Sequence, residues 1–148
     1  MAQGKIDNTD LFADVIIPIP VPNLFTYRIP SEYQVDVQAG VRVIVPFGKQ
    51  KIYSALVRRT HSKVPSEDLK DIQGVLDEEP IVNSQQFEFW DWIEKYYMCF
   101  PGEVMSAALP SAFKLQSETT VIINPEFDPE QNHLTNDEFL IFEVLQTK

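Results

Sequence analysis

A chain of 148 residues with 44% hydrophobic and 23% charged residues has the composition of a folded globular protein, long enough for one domain or for one domain and part of a next. Its formal charge of −10 argues against nucleic-acid binding by bulk charge, and no apolar run reaches the roughly 18 residues of a membrane helix. The single cysteine, Cys99, excludes an intrachain disulfide and a cysteine-based zinc site, so a reduced, cytosolic setting is expected. Residues 1–10 read as a flexible polar lead with no signal-peptide core.

Leu11–Ile19 alternates as a strand, with Val15, Ile17 and Ile19 on one face and Asp14, Ile16 and Pro18 on the other. Pro18 and Pro20 put it at a sheet edge or mark its end. Pro22-Asn23 is a turn signal, Leu24–Ile29 a short strand stopped by Pro30, and residues 31–40 a loop closed by Ala39-Gly40. Val41, Val43 and Val45 then face one way, Arg42 and Ile44 the other. Pro46–Gln50 is a tight connection, in which Gly48 takes a positive φ without penalty. Lys51–Thr60 is the next strand, placing Arg58 and Arg59 on opposite faces. His61–Asp68 is a polar loop, and Leu69–Leu76 a further strand ahead of the acidic turn Asp77-Glu78-Glu79-Pro80.

The period then becomes helical. Asn83 and Gln86 form a capping box, and the aromatic residues from Phe87 to Phe100 follow at three- and four-residue spacing. That apolar face is wide, so the helix is expected to be buried on more than one side. Its aromatics are expected in the core and not in a stacking platform. Pro101-Gly102 breaks it, and Glu103–Leu109 is a short second helix. Thr119–Ile123 is a candidate strand in a 116–134 linker, and Thr135 with Glu138 caps an amphipathic helix that reaches the last residues. The fold class expected is α+β: a small, mostly antiparallel, barrel-like β-domain over residues 11–115 with two helices. A segment at 135–148 reads as the truncated start of a further domain.

Charge is unevenly distributed. Residues 42–70 hold Arg42, Lys49, Lys51, Arg58, Arg59, Lys63 and Lys70 against Glu67 and Asp68, a net +5, while residues 1–41 sum to −3 and residues 71–148 to −12. A concentrated basic patch on a β-domain binds nucleic acid despite acidic surfaces elsewhere, because salt screens exposed charges over about 8 Å. Catalytic constellations are missing. Gly48-Lys49 is followed by Gln50, and Val43 stands where a phosphate loop needs its first glycine. His61 and His133 are isolated and read as solvated. Cys99 reads as a small core residue, and Asp77–Glu79 as a solvated turn and not a metal site. No metal or cofactor is expected in this segment, and it is not expected to be an enzyme.

Four pieces in order, ADVIIPIPVPNLFTYRIP, GVRVIVPFGKQKIYSALV, LKDIQGVLDEEPIV and CFPGEVMSAALPSAFK, resemble the N-terminal domain of the primosomal protein N′ family, bacterial replication-restart DNA helicases, from about Ala13 to Lys114. LTNDEFLIFEVL resembles the first helix of that family's winged-helix domain. The resemblance implies a module that recognises the 3′ end of the nascent leading strand at a stalled or abandoned fork. It further implies a cytoplasmic, nucleoid-associated parent protein, an ATP-dependent 3′-to-5′ helicase. The parent's ATP, Mg and zinc belong to regions outside this chain, and its partners are forked DNA, single-stranded-DNA-binding protein and other primosome proteins, with no membrane. The family's pocket carries over onto Phe25, Gly48 and Lys70, and Thr26 stands where the family has an aspartate. A carboxylate accepts a strong charge-assisted bond from a 3′-hydroxyl, and threonine accepts one about half as strong. Lys49 and Lys51 join as phosphate contacts. Outside this resemblance Phe25 is by default a core aromatic, Thr26 a strand former, and the three lysines solvated.

Two other classes stand beside this one. A protein-docking β-module would bind replication partners without touching DNA, its acidic half meeting a basic partner. An autonomous enzyme is disfavoured by the missing motifs.

Overall fold

The computed structural model describes residues 10–63, 69–115 and 135–146. It divides into two compact units, Met1–Ser117 and Glu118–Lys148. The expected lead, the 116–134 linker with its strand, and His133 lie outside the described residues.

In the first unit the α+β expectation holds. Strands β1 (Leu11–Ile16), β2 (Phe25–Ile29), β3 (Arg42–Phe47), β4 (Lys51–His61) and β5 (Gly74–Val75) form one sheet in the order β2-β1-β4-β3-β5, with every pairing antiparallel. The sheet is not a closed barrel. The segment expected as a strand over 69–76 yields only the two residues of β5, because it divides its backbone bonds between the two sheet edges. Near β2, Arg28 N donates to Lys70 O and Ile72 N to Arg28 O, each at 3.0 Å. Near β3, Gln73 N donates to Ile44 O and Leu76 N to Arg42 O, each at 2.9 Å. The chain therefore crosses the gap between the edges as a seam. Tyr27 Oη, on β2, spans the same gap and donates to Pro46 O of β3 at 3.0 Å.

Strand alternation sorts the side chains as the sequence predicts. Val15, Ile17, Tyr27, Val43, Val45 and Val57 point into one core, capped by Ile72 from the seam. Ile16 and Leu56 point to the other face, where Phe87, Trp90, Val104 and Met105 cover them. β1 ends at Ile16, two residues before Pro18, so this proline marks a strand's end and not an edge.

Helix α1 (Ser84–Tyr97) opens on the expected box: Asn83 Oδ1 accepts from Gln86 N at 2.9 Å, and Gln86 Oε1 from Asn83 N at 2.8 Å. It ends at Met98, whose φ of 52° is left-handed. Pro101 then starts α2 (Pro101–Ala108), since a proline at the first helical position forfeits only an amide that has no partner there. Gly102 seats that first turn against β1's continuation; a Cβ there would overlap the carbonyl oxygens of Ile17 and Ile19. The expectation of a helix buried on several sides is wrong. Only Phe87 and Trp90 of α1 are buried, while Phe89, Trp92, Tyr96 and Tyr97 are half or more exposed. Two helices on one face of a small sheet cover only one stripe of α1.

In the second unit, α3 (Asn136–Gln146) has the expected Thr135 cap: Glu138 Oε2 accepts from Thr135 N and from Thr135 Oγ1, each at 2.8 Å.

Candidate nucleic-acid interface

The basic stretch of residues 42–70 is not one patch, because its arginines are engaged. Arg42 grips Asp77 through Nε (2.9 Å) and Nη2 (2.6 Å), donates Nη1 to Phe113 O (3.3 Å), and lies 4.4 Å over the Phe113 ring. Both partners are about nine-tenths buried. Asp77 is therefore not solvated, as the turn suggested. Burial raises its pKa, but the bonds from Arg42 outweigh that and leave it lowered. Glu78 and Glu79 remain exposed in the turn beside it.

Arg58 and Arg59 do not fall on opposite faces. The β1–β4 register shifts between Asp14 and Val15, so that Val15 faces Val57 and Asp14 faces Arg59. This bulge inserts Arg58 as the extra residue and brings both arginines to the helical side of the sheet. Arg58 donates to Asp91 Oδ2 of α1 at 2.8 Å and lies 4.4 Å over Phe87. Arg59 Nε donates to Asp14 Oδ2 at 2.7 Å. His61 is not solvated either: it ends β4, stacks on Phe12 at 5.9 Å, and sets Nε2 3.3 Å from Asp14 Oδ1.

What stays available is the tip of the β3–β4 hairpin. Gly48 turns the chain at φ +64°, which favours glycine, and a Cβ built there meets nothing within 4 Å. Backbone conformation and not crowding selects the glycine, and the space above it is open. Lys70 Nζ donates to Gly48 O at 2.5 Å. Its main chain is held against β2 through Arg28, so its side chain bridges the seam and the hairpin tip. The Phe25 ring, at the start of β2, meets Phe47 edge-on at 5.0 Å, and Phe47 meets Tyr53 the same way at 5.9 Å. Phe25, Gly48 and Lys70 thus share one rim, where the edges of the open sheet come together. Lys49 sits in the turn, and Lys51 lies directly across the ladder from Phe47. Both are exposed, and among the described residues neither has an acidic partner.

Thr26 is placed elsewhere. Alternation turns it to the face opposite Phe25, where it pairs across the ladder with Asp14 and donates Oγ1 to Asp14 Oδ1 at 2.6 Å. Burial raises the Asp14 pKa, but the hydrogen bonds from Thr26, Arg59 and His61 more than offset it, and the carboxyl is held below its ordinary value. Sequence reasoning missed two members of the rim. Phe47 closes β3 within the Pro-Phe-Gly stretch expected as a tight connection, from which only the glycine is singled out. Tyr27 lies in the strand expected over Leu24–Ile29, and nothing local says that its hydroxyl reaches Pro46. Among the described residues no group of three or more acidic, histidine or cysteine side chains has the arrangement to hold a metal ion, and no helix is long and apolar enough to cross a membrane.

Comparison with known proteins adds an independent line. A family described as 3′DNA-binding domain (3′BD) matches residues 14–110. Replication restart protein PriA of Haemophilus influenzae is 35% identical over 111 residues, covering 74% of this chain and 15% of the relative. The Bacillus subtilis protein of the same name is 29% identical over 111 residues, covering 72% and 14%. That of Treponema pallidum is 25% identical over 104 residues, covering 66% and 16%. The matched stretch is thus a small part of these relatives' length.

Proposed function

The chain belongs to the 3′DNA-binding domain family of replication restart proteins, and from that premise we propose that it binds the 3′ end of the nascent leading strand at stalled or abandoned forks. DNA binding in replication restart is the role of the family; recognition of an end is the finer reading. Selectivity for an end demands a seat that admits a terminal nucleotide and blocks a further one, since phosphate contacts repeat identically along a strand. The observation that carries this reading is the shared rim, where Lys70 bridges to the Gly48 carbonyl beside the Phe25–Phe47 pair.

In this reading the terminal base stacks on Phe25 and the sugar passes over Gly48, where the absence of a side chain permits close approach. Lys70 moves from a neutral carbonyl to the DNA, a better acceptor, and Lys49 and Lys51 take the preceding phosphates. Thr26 acts from behind the seat, holding the β1–β2 register through Asp14, so backbone groups and shape do the discriminating that an aspartate would share. The longer protein is an ATP-dependent 3′-to-5′ helicase of the bacterial cytoplasm and nucleoid, meeting single-stranded-DNA-binding protein and other primosome proteins, and α3 is the first helix of its winged-helix domain.

Anisotropy titration of single strands ending in a 3′-hydroxyl or a 3′-phosphate, at fixed salt, tests the seat. The hydroxyl end is expected to bind more tightly, with a shallow salt slope near −2 from about three phosphate contacts at roughly −0.7 each. Equal affinity for the two ends would defeat the reading.

A further inference from the structure

Phe87 and Trp90 satisfy the need of α1 to bury one face, yet the helix carries a second aromatic stripe that the domain's own core does not use. Phe89 and Trp92 stack at 5.9 Å with planes 9° apart, Trp92 and Tyr96 at 5.0 Å and 19°, and Tyr97 meets Tyr96 edge-on at 4.9 Å. Trp92 is 51% exposed and Tyr96 66%. The spacing of three and four residues puts Phe89, Trp92 and Tyr96 on one helical face. Beside it an apolar groove of about 380 Å³ runs between α1 and α2, with Phe89, Ile93 and Tyr97 on one wall and Val104, Ala107 and Ala108 on the other. The small alanines leave that trough open. Contiguous exposed apolar surface of this kind on a soluble domain marks an interaction site.

The charges decide what fits. Residues 84–108 carry Glu88, Asp91, Glu94 and Glu103 against the single cation Lys95. Arg58 of β4 is taken up by Asp91, which leaves Glu88, Glu94 and Glu103 against Lys95 and the two-helix surface net negative. Such a surface repels phosphate, which removes stacked nucleic acid and anionic bilayers as occupants. It also repels a second copy of itself. It attracts a cation-bearing partner, whose Lys or Arg side chains gain from both the carboxylates and the exposed ring faces.

We propose that the outer face of α1 and the α1–α2 groove form a docking surface for a basic amphipathic helix of a partner protein. The partner's apolar ridge lies in the trough against the alanines, in the helix-in-groove manner. Its basic residues flank the ridge and reach Glu103, which lines the groove, and Glu88, one turn before Trp92 on α1. Trp92 and Tyr96 are the anchors, as large aromatic rings dominate such contacts.

The surface is tested on the 148-residue chain with three synthetic probes: a short Leu/Lys helical peptide of 3.6-residue amphipathic period, the same composition scrambled to abolish that period, and a Leu/Glu counterpart. Calorimetry gives affinity, and the shift of tryptophan emission reports burial of Trp92. The expected result is binding of the amphipathic Leu/Lys peptide alone, weakened roughly tenfold or more by Trp92→Ser and by Tyr96→Ser. Asp36→Asn, a change in an acidic turn elsewhere, leaves it unaffected. Both aromatic positions are exposed, so circular dichroism is expected to show an unchanged fold. Equal binding of the scrambled or acidic peptide, or indifference to Trp92→Ser, overturns the proposal. Self-association of the chain abolished by Trp92→Ser would assign the face to a second copy, and an emission shift with single-stranded DNA would assign it to nucleic acid; either overturns it. None of these outcomes bears on preference for a 3′-hydroxyl end.

Discussion

The arginines of β3 and β4 and the lysines around the turn between them come from one basic stretch and have opposite fates. Arg42, Arg58 and Arg59 each end on a carboxylate, two of them also over an aromatic ring, whereas Lys49 and Lys51 extend into solvent from the hairpin tip. The difference follows from the side chains themselves. A planar guanidinium satisfies a carboxylate with two bonds and stacks on a ring, so it is suited to buried ties; an ammonium is a compact, strongly hydrated charge suited to a mobile ligand. The net charge of a segment therefore overstates its patch, because paired arginines contribute structure in place of potential.

The sharpest way to break this contrast is Arg42→Ala. It strips a buried carboxylate of its cation, and the loss expected is about 3–5 kcal/mol by chemical denaturation. Lys49→Ala in the same assay is expected to be neutral. DNA binding reverses the ranking. Phe25→Ala is expected to cost about 1–3 kcal/mol in 3′-end affinity through lost stacking, and Lys70→Ala to weaken binding in the same titration, while Arg59→Ala leaves it nearly intact. A loss with Arg59→Ala as large as with Phe25→Ala would move the interface to the other face of the sheet.

Acid titration probes the paired side. The Asp14 and Asp77 carboxyls are held below their ordinary values, so the stability they contribute is present above about pH 4 and lost as pH falls through their lowered values. Asp14→Asn is expected to be less stable than the natural chain at pH 7, with the gap closing in acid; a gap constant with pH would deny the linkage. The smallest effect expected is that of Thr26→Val, about 1 kcal/mol of stability from the lost bond to Asp14, with the hydroxyl-to-phosphate preference unchanged. A changed preference would return Thr26 to the seat.

Much of the architecture was legible from alternation and caps. Val43 and Val45 facing inward, the Asn83–Gln86 box and the positive φ at Gly48 each follow from a few adjacent residues. The seam was not, since nothing within residues 69–76 says that its bonds are divided between two edges far apart in sequence. The bulge at Arg58 was not either. It brings to one side two arginines expected on opposite faces, and its cause lies in the pairing with β1. The aromatic helix misled for a related reason. Spacing shows that two stripes exist, but only the number of packing partners tells which one is covered. In the candidate site the grouping of Phe25, Gly48 and Lys70 came from resemblance, and the physical links among them, through Phe47 and the Gly48 carbonyl, required the fold.

The bond from Tyr27 to the Pro46 carbonyl carries one more implication. Burial pushes this phenol up to about 12, so it keeps its proton at any pH a cell reaches. The latch it forms between β2 and β3 is insensitive to acidification and to metabolic alkalinity alike. The spacing of β2 and β3 at this point is thereby fixed by a bond that cellular conditions do not retune.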